Sequence, residues 1–208
     1  MFSANAISAE TRPETSGYLP ADIYAKLQPM KLASGREIQQ WRSSKLNRTN
    51  YKGIMVDSVM FYPAPTPGPQ ISSSTLDNIL AFSTKVVRQR VGEKLNLVDV
   101  AGPGVVRMQA VITAVKAEKE GLTALDVIPV HFLFSAAKSA SGETDMNVTA
   151  MVETRLTDSM TGELLGAATS VLTGEQLKNS KQQIKLENVQ QSIDTAATDG
   201  ATLLDDIE

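Results

Sequence analysis

Four carboxylates stand inside or beside apolar, strand-like runs of this 208-residue chain: Asp57, Asp126, Asp158 and Glu163. Two such groups meeting in one cleft could share general acid and base work on a hydrolysable bond. Their spacing pairs none of them. Asp57 interrupts the run from Tyr51 to Tyr62, and a single carboxylate there is equally served by a strand edge or by backbone amides. His131 is the sole histidine and lies on an apolar stretch. A triad or a histidine metal site needs companions that no nearby motif supplies, so satisfaction by backbone is the simpler reading. The chain has no cysteine, which excludes disulfides, thiolate metal sites and a cysteine nucleophile. Gly102-Pro103-Gly104 lacks the Lys-Ser/Thr of a phosphate loop and the spacing of a dinucleotide fingerprint, and reads as a tight turn. No catalytic, cofactor-binding or metal-ligating residue is nominated.

The elements that would position such groups are organised around the stretch from Met146 to Leu172. Met146, Val148, Ala150, Val152 and Leu156 alternate with Asn147, Thr149, Glu153 and Arg155, the period of a half-buried strand. Asp158-Ser159-Met160-Thr161-Gly162 then turns the chain, and residues 163–172 return as a partner strand, giving a β-hairpin. Residues 105–115 alternate in the same style, and residues 95–100 form a short strand. The nearly continuous apolar run within residues 51–62 reads as a strand covered on both faces.

Two helices complete the pattern. Leu76, Ile79, Leu80, Ser83, Val86, Val87 and Val91 recur at three and four, with Ser74 and Asp77 at capping-box spacing and Gly92 as the stop. Leu186, Val189, Ile193, Ala196, Ala197 and Gly200 stripe a closing helix that runs to about Ile207, and the small residues there allow close approach to a neighbour. Pro63, Pro65, Pro67 and Pro69 force an extended loop, read as a rigid connector or as a polyproline ligand. Before the core, Tyr18, Leu19, Ile23 and Leu27 would dock an arm that carries a short helix at residues 21–27, and Trp41 serves as a packing anchor. The expected fold is α+β: a mixed, mostly antiparallel sheet of about five strands, two main helices on one face, and an N-terminal arm. Residues 1–15 form a flexible tether, 16–50 the arm and 51–208 a single domain.

Composition narrows the partners. The formal net charge is −3 with no basic patch, which argues against nucleic acid, since phosphate neutralisation needs clustered cations. The densest basic run, Lys85 to Arg90, falls on the solvated side of a helix. No run of eighteen apolar residues occurs, so no helical membrane span is expected. The first residues lack a basic n-region and an apolar h-region, as in a cytosolic protein or in a mature portion with an added start Met.

Several segments in order resemble one family. Ser16-Gly17-Tyr18-Leu19 precedes a short helix; Tyr51-Lys52-Gly53-Ile54-Met55-Val56-Asp57-Ser58-Val59 and Val106-Arg107-Met108-Gln109-Ala110-Val111-Ile112-Thr113 follow. The hairpin Leu156-Thr157-Asp158-Ser159-Met160-Thr161-Gly162-Glu163-Leu164-Leu165 is the most telling. Together they resemble the domain-of-unknown-function family 3313 of bacterial lipoproteins, from about Ser16 to the last helix. That resemblance implies an envelope protein on the periplasmic face of a membrane, expected to be the outer one, tethered by an N-terminal lipid on a cysteine this chain lacks. It brings no catalytic residues. The element order is also similar to the compact α/β domains of curli-secretion and penicillin-binding-protein-activator lipoproteins, a fold-level analogy.

The function expected is a non-enzymatic cell-envelope lipoprotein domain, without cofactor or metal, that binds another envelope protein or itself. Membrane contact would come only through the missing lipid. Two alternatives stay open: a small-ligand or lipid carrier using residues 122–134, which demands an apolar cavity of roughly 300 Å³ or more, and a carboxylate-based hydrolase using Asp57, Asp126, Asp158 or Glu163.

Overall fold

The computed structural model describes residues 16–119, 146–178, 181–202 and 204. Strand β7 (Met146–Asp158) and strand β8 (Leu164–Leu177) form the expected antiparallel hairpin. Its turn is held by its own residues: the Asp158 carboxylate accepts from the backbone N–H groups of Met160 at 2.9 Å and Thr161 at 2.8 Å. Gly162 has φ +73°, a left-handed conformation in which a side chain would be strained.

Strand β6 (Val105–Lys119) pairs antiparallel with β7, with an irregularity between Ile112 and Ala114. Beyond β6 lie β3 (Gly53–Val56) and β4 (Met60–Phe61), both parallel to it, and β5 (Asn96–Leu97) pairs parallel with β3. On the other side β8 carries β2 (Glu37–Arg42), and β2 carries β1 (Gln28–Lys31) at the edge, both antiparallel. The result is one mixed, mostly antiparallel sheet of eight strands in the order β1-β2-β8-β7-β6-β3-β5, with β4 on β6.

The strand count exceeds the expected five because β1 and β2 both join the sheet and one expected strand is split. Gln28-Pro29-Met30-Lys31 has no apolar alternation, because an edge strand with little burial needs none. The single strand expected over residues 51–62 is two pieces. Val56 stands opposite Met108 and Met60 opposite Val111, so four steps on one strand span three on the other. The surplus falls at Asp57-Ser58-Val59, and it turns the Asp57 carboxylate toward its neighbours on β6.

Helix α2 (Ser73–Gly92) and helix α3 (Glu187–Thr202) pack on one face. Leu76 and Ile79 of α2 and Val189 and Ile193 of α3 meet Ala110 and Ile112 of β6 and Val148 of β7. Full burial of one such side chain contributes about 1.5–3 kcal/mol. The cap of α2 is Ser72, not Ser74: its side chain accepts from the Thr75 N–H at 3.1 Å, the reach an N-cap hydroxyl needs. Gly92 closes the helix without a left-handed turn. What its lack of a side chain permits is the approach of Leu97, whose Cδ1 would lie 2.6 Å from an added Cβ. The basic run on α2 is partly neutralised, Arg88 by Asp99 at 2.7 Å and Arg90 by Asp194 at 2.9 and 3.1 Å.

Among the described residues the opposite face carries no long helix. There the four-residue helix α1 (Ala21–Tyr24) and the segment before it dock through Leu19 and Ile23 onto Ala167, with Tyr18, Leu27, Trp41 and Leu164 packed around them.

Candidate functional site

Alternation along β6 and β7 sends one set of side chains to the helices and the other set to this second face. The register does the rest: Gln109 stands opposite Arg155, and Arg107 opposite Thr157. Because β3 runs alongside β6 and breaks at Asp57, that carboxylate accepts from Arg107 Nε at 3.1 and 2.9 Å and from Gln109 Nε2 at 2.9 Å. Arg107 Nη2 closes the pair at 2.8 Å. Gln109 in turn accepts from Arg155 Nε at 3.1 Å, and the Arg155 guanidinium lies 4.5 Å from the Tyr18 ring centre, within the range of a cation–π contact. The Tyr18 and Tyr62 rings meet at 5.4 Å. A continuous row of polar and aromatic groups, Arg107-Asp57-Gln109-Arg155-Tyr18-Tyr62, thus crosses the face. Tyr62 is 40% exposed and its neighbour Met60 51% exposed.

A second, buried pair lies beside that row. Glu153 is fully buried, and one of its oxygens accepts a 2.6 Å hydrogen bond from the Tyr24 hydroxyl. The same hydroxyl accepts from the Leu19 N–H at 3.2 Å and lies 3.1 Å from Ser16 Oγ. The other Glu153 oxygen has no hydrogen-bond partner among the described residues. Burial raises the Tyr24 phenol above its ordinary value, and hydrogen bonding to Glu153 adds to the rise. Burial likewise raises Tyr18, against the opposing pull of Arg155. The carboxylate of Asp57 holds Arg107 still more firmly protonated.

The other candidate carboxylates are engaged elsewhere. Asp158 caps the hairpin turn and accepts from the Tyr51 hydroxyl at 3.0 Å, and Glu163 pairs with Lys45 at 2.6 Å on the surface. Asp126, His131 and the apolar residues 122–134 lie outside the described residues. Among the described residues no group of three or more His, Cys, Asp or Glu is placed to hold a metal ion. No described helix is long and apolar enough to cross a membrane. Gly102 belongs to a turn whose N–H and C=O both bond the Ser159 hydroxyl, at 3.1 and 3.0 Å, which staples it to the hairpin.

Residues 14–200 match the family described as "Protein of unknown function (DUF3313)". The chain belongs to DUF3313. A curated relative is similar to it along most of its length: the "Uncharacterized lipoprotein YdcL" of Escherichia coli K12 is 29% identical over 196 residues, 94% of this chain and 87% of the relative. Two solved structures are similar at a lower level. The neuraminyllactose-binding hemagglutinin homolog from Helicobacter pylori is 7% identical with a TM-score of 0.41, covering 80% of this chain and 88% of that one. The PelC dodecamer from Paraburkholderia phytofirmans is 10% identical with a TM-score of 0.37, covering 77% of this chain and 96% of that one. Both TM-scores are below 0.5, and nothing about this DUF3313 chain follows from them.

Sequence reasoning placed Glu153, Arg155, Arg107 and Gln109 on the polar sides of their strands without joining them. The signal that joins them is the pairing of two such polar sides in adjacent strands beneath an arm rich in tyrosine. In this DUF3313 member that pairing uses Asp57 as its keystone.

Proposed function

We propose that this chain is the folded domain of a lipid-anchored cell-envelope protein, held at the periplasmic face of the outer membrane, and that it works without catalysis by recognising another envelope protein. The observation that carries the recognition reading is the prearranged row on the face opposite α2 and α3, with Met60 and Tyr62 exposed beside Arg155 and Tyr18. Met, Tyr and Arg are the types enriched where proteins meet, and rigid aromatic anchors lose little entropy on binding. The lipid anchor draws its support from the lipoprotein name of the curated relative. The non-catalytic part draws its support from the carboxylates: Asp57, Asp158 and Glu163 each serve a different structural partner.

A photo-crosslinking amino acid at position 62, introduced in the full-length gene product in its own cells, tests this. The expected result is one discrete protein adduct that the change Arg155→Glu abolishes while the fold, followed by circular dichroism, is retained. No adduct at position 62, or the same adduct with Arg155→Glu, overturns the reading.

A further inference from the structure

Between the helix side of the sheet and helices α2 and α3 lies a cavity of about 140 Å³. Val87 of α2, Met108 of β6, Leu172 of β8 and Ile193 of α3 border it. The small residues of α3 are not there for close approach: Ala196, Ala197 and Gly200 line the space, and a Cβ added at Gly200 would meet nothing within 4 Å. The charged side chains in the lining, Arg36, Arg42 and Asp199, are already engaged. Arg36 pairs with Asp199 at 2.9 Å, Asp199 also accepts from the Ser34 hydroxyl at 3.1 Å, and Arg42 donates to the Leu46 carbonyl at 3.4 Å. Ser83 of α2 differs from them. It is 4% exposed, it lines the cavity, and its hydroxyl has no hydrogen-bond partner among the described residues. A buried hydroxyl left in that state costs free energy that a bound partner would return.

We propose that this cavity binds one small neutral aromatic molecule of the phenol class, its ring among the aliphatic side chains and its hydroxyl hydrogen-bonded to Ser83. Volume sets the size: about 150 Å³ of apolar space holds a benzene-sized group, whereas drug-sized ligands need roughly 300 Å³ or more. A ring fills such a space as one rigid piece, without the rotamer freedom that an alkyl chain of equal volume gives up on binding. The polarizable thioether of Met108 favours an aromatic ring over a saturated one. Charge is selected against, because an ion in an apolar site needs a partner of its own, and Arg36 and Asp199 already hold each other. Ser83 then selects within the neutral class, since a ring that carries a hydroxyl makes the missing bond and a plain hydrocarbon does not. The site lies on the opposite side of the sheet from the Tyr62 row, so the two proposals stand or fall separately.

The test titrates the purified full chain, isotope-labelled at its methyl groups, with phenol, toluene and benzoate, and follows the NMR spectra. Phenol shifts the Val87 and Ile193 methyls saturably, and its ring protons show Overhauser contacts to them; benzoate does neither. Gly200→Leu, which fills the void, abolishes the shifts and the contacts. Ala196→Leu does the same and serves where the first variant does not fold. Ser83→Ala weakens phenol about fivefold and leaves toluene within about twofold, the loss of one hydrogen bond without a change of cavity. The proposal is overturned by the absence of a saturable shift with phenol, by phenol binding that survives a folded cavity-filling variant, by benzoate binding as tightly as phenol, or by a phenol affinity that Ser83→Ala leaves unchanged.

Discussion

One sheet here has two differently finished sides. Toward α2 and α3 the alternate residues of β6 and β7 are aliphatic and buried under helices; toward the arm they are Arg107, Gln109, Glu153 and Arg155, linked to Asp57, Tyr18 and Tyr24. The same strands supply both, so the contrast isolates side-chain chemistry from backbone. It teaches that the apolar side sets stability by area removed from water, and the polar side sets where the arm and its aromatic groups sit.

The largest expected effect tests the apolar side. Ile79→Ala removes a side chain that is 2% exposed between α2 and the sheet, and costs about 3–4 kcal/mol in denaturant unfolding. Gln109→Ala on the polar side, half-buried and flanked by water-accessible ions, costs less than about 1 kcal/mol. Equal costs would break the contrast.

Next comes the buried pair. Tyr24→Phe strips the fully buried Glu153 carboxyl of its 2.6 Å hydrogen bond and costs about 2 kcal/mol. The double change Tyr24→Phe with Glu153→Gln recovers part of that, which a double-mutant cycle by calorimetry measures as coupling. Strict additivity would mean that α1 docks by Leu19 and Ile23 alone.

The hairpin turn gives a smaller effect with a defined pH sign. The Thr161 N–H, then the Tyr51 hydroxyl and the Met160 N–H, hold the Asp158 carboxyl below its ordinary value of 3.8. A carboxyl with a depressed folded value contributes stability above its unfolded value, and that contribution is lost as pH falls through the folded one. Asp158→Ala therefore costs roughly 1 kcal/mol at pH 7, and the gap between wild type and variant narrows below about pH 4. Tyr51 mirrors this at the alkaline end. Burial and Asp158 push its phenol up to about 12, so its contribution is present below pH 10 and lost as pH rises toward 12.

Much of the fold was legible because water enforces period two on strands and a stripe on helices. The hairpin, β6, both long helices and the arm's Leu19 and Ile23 all carry those patterns. Strands β1 and β2 were not legible: they hold the sheet edge by backbone bonds, and Gln28-Pro29 and Gln39-Gln40 leave no apolar trace of that. The break at Asp57 was visible as an interruption, yet its partners were not, since they depend on a register between β3 and β6 that parallel pairing across 50 residues fixes. The cavity was hidden for a related reason. Small residues at 196, 197 and 200 signal either contact or void, and only the position of α3 over the sheet decides which.

That ambiguity yields the smallest prediction. A helical glycine costs about 1 kcal/mol relative to alanine through backbone freedom lost on folding, and the penalty is recoverable only where a methyl has room and φ is negative. Gly200 lies within α3, is not among the glycines with positive φ, and has open space where its Cβ would stand. Gly174 on β8 is the opposite case, since an added Cβ would collide with the Asn188 carbonyl at the start of α3. Gly200→Ala should therefore raise unfolding free energy by roughly 0.5–1 kcal/mol, and Gly174→Ala should lower it. If both destabilise, α3 sits closer to the sheet at its C-terminal end than the cavity allows, and the helix-covered side is solid throughout.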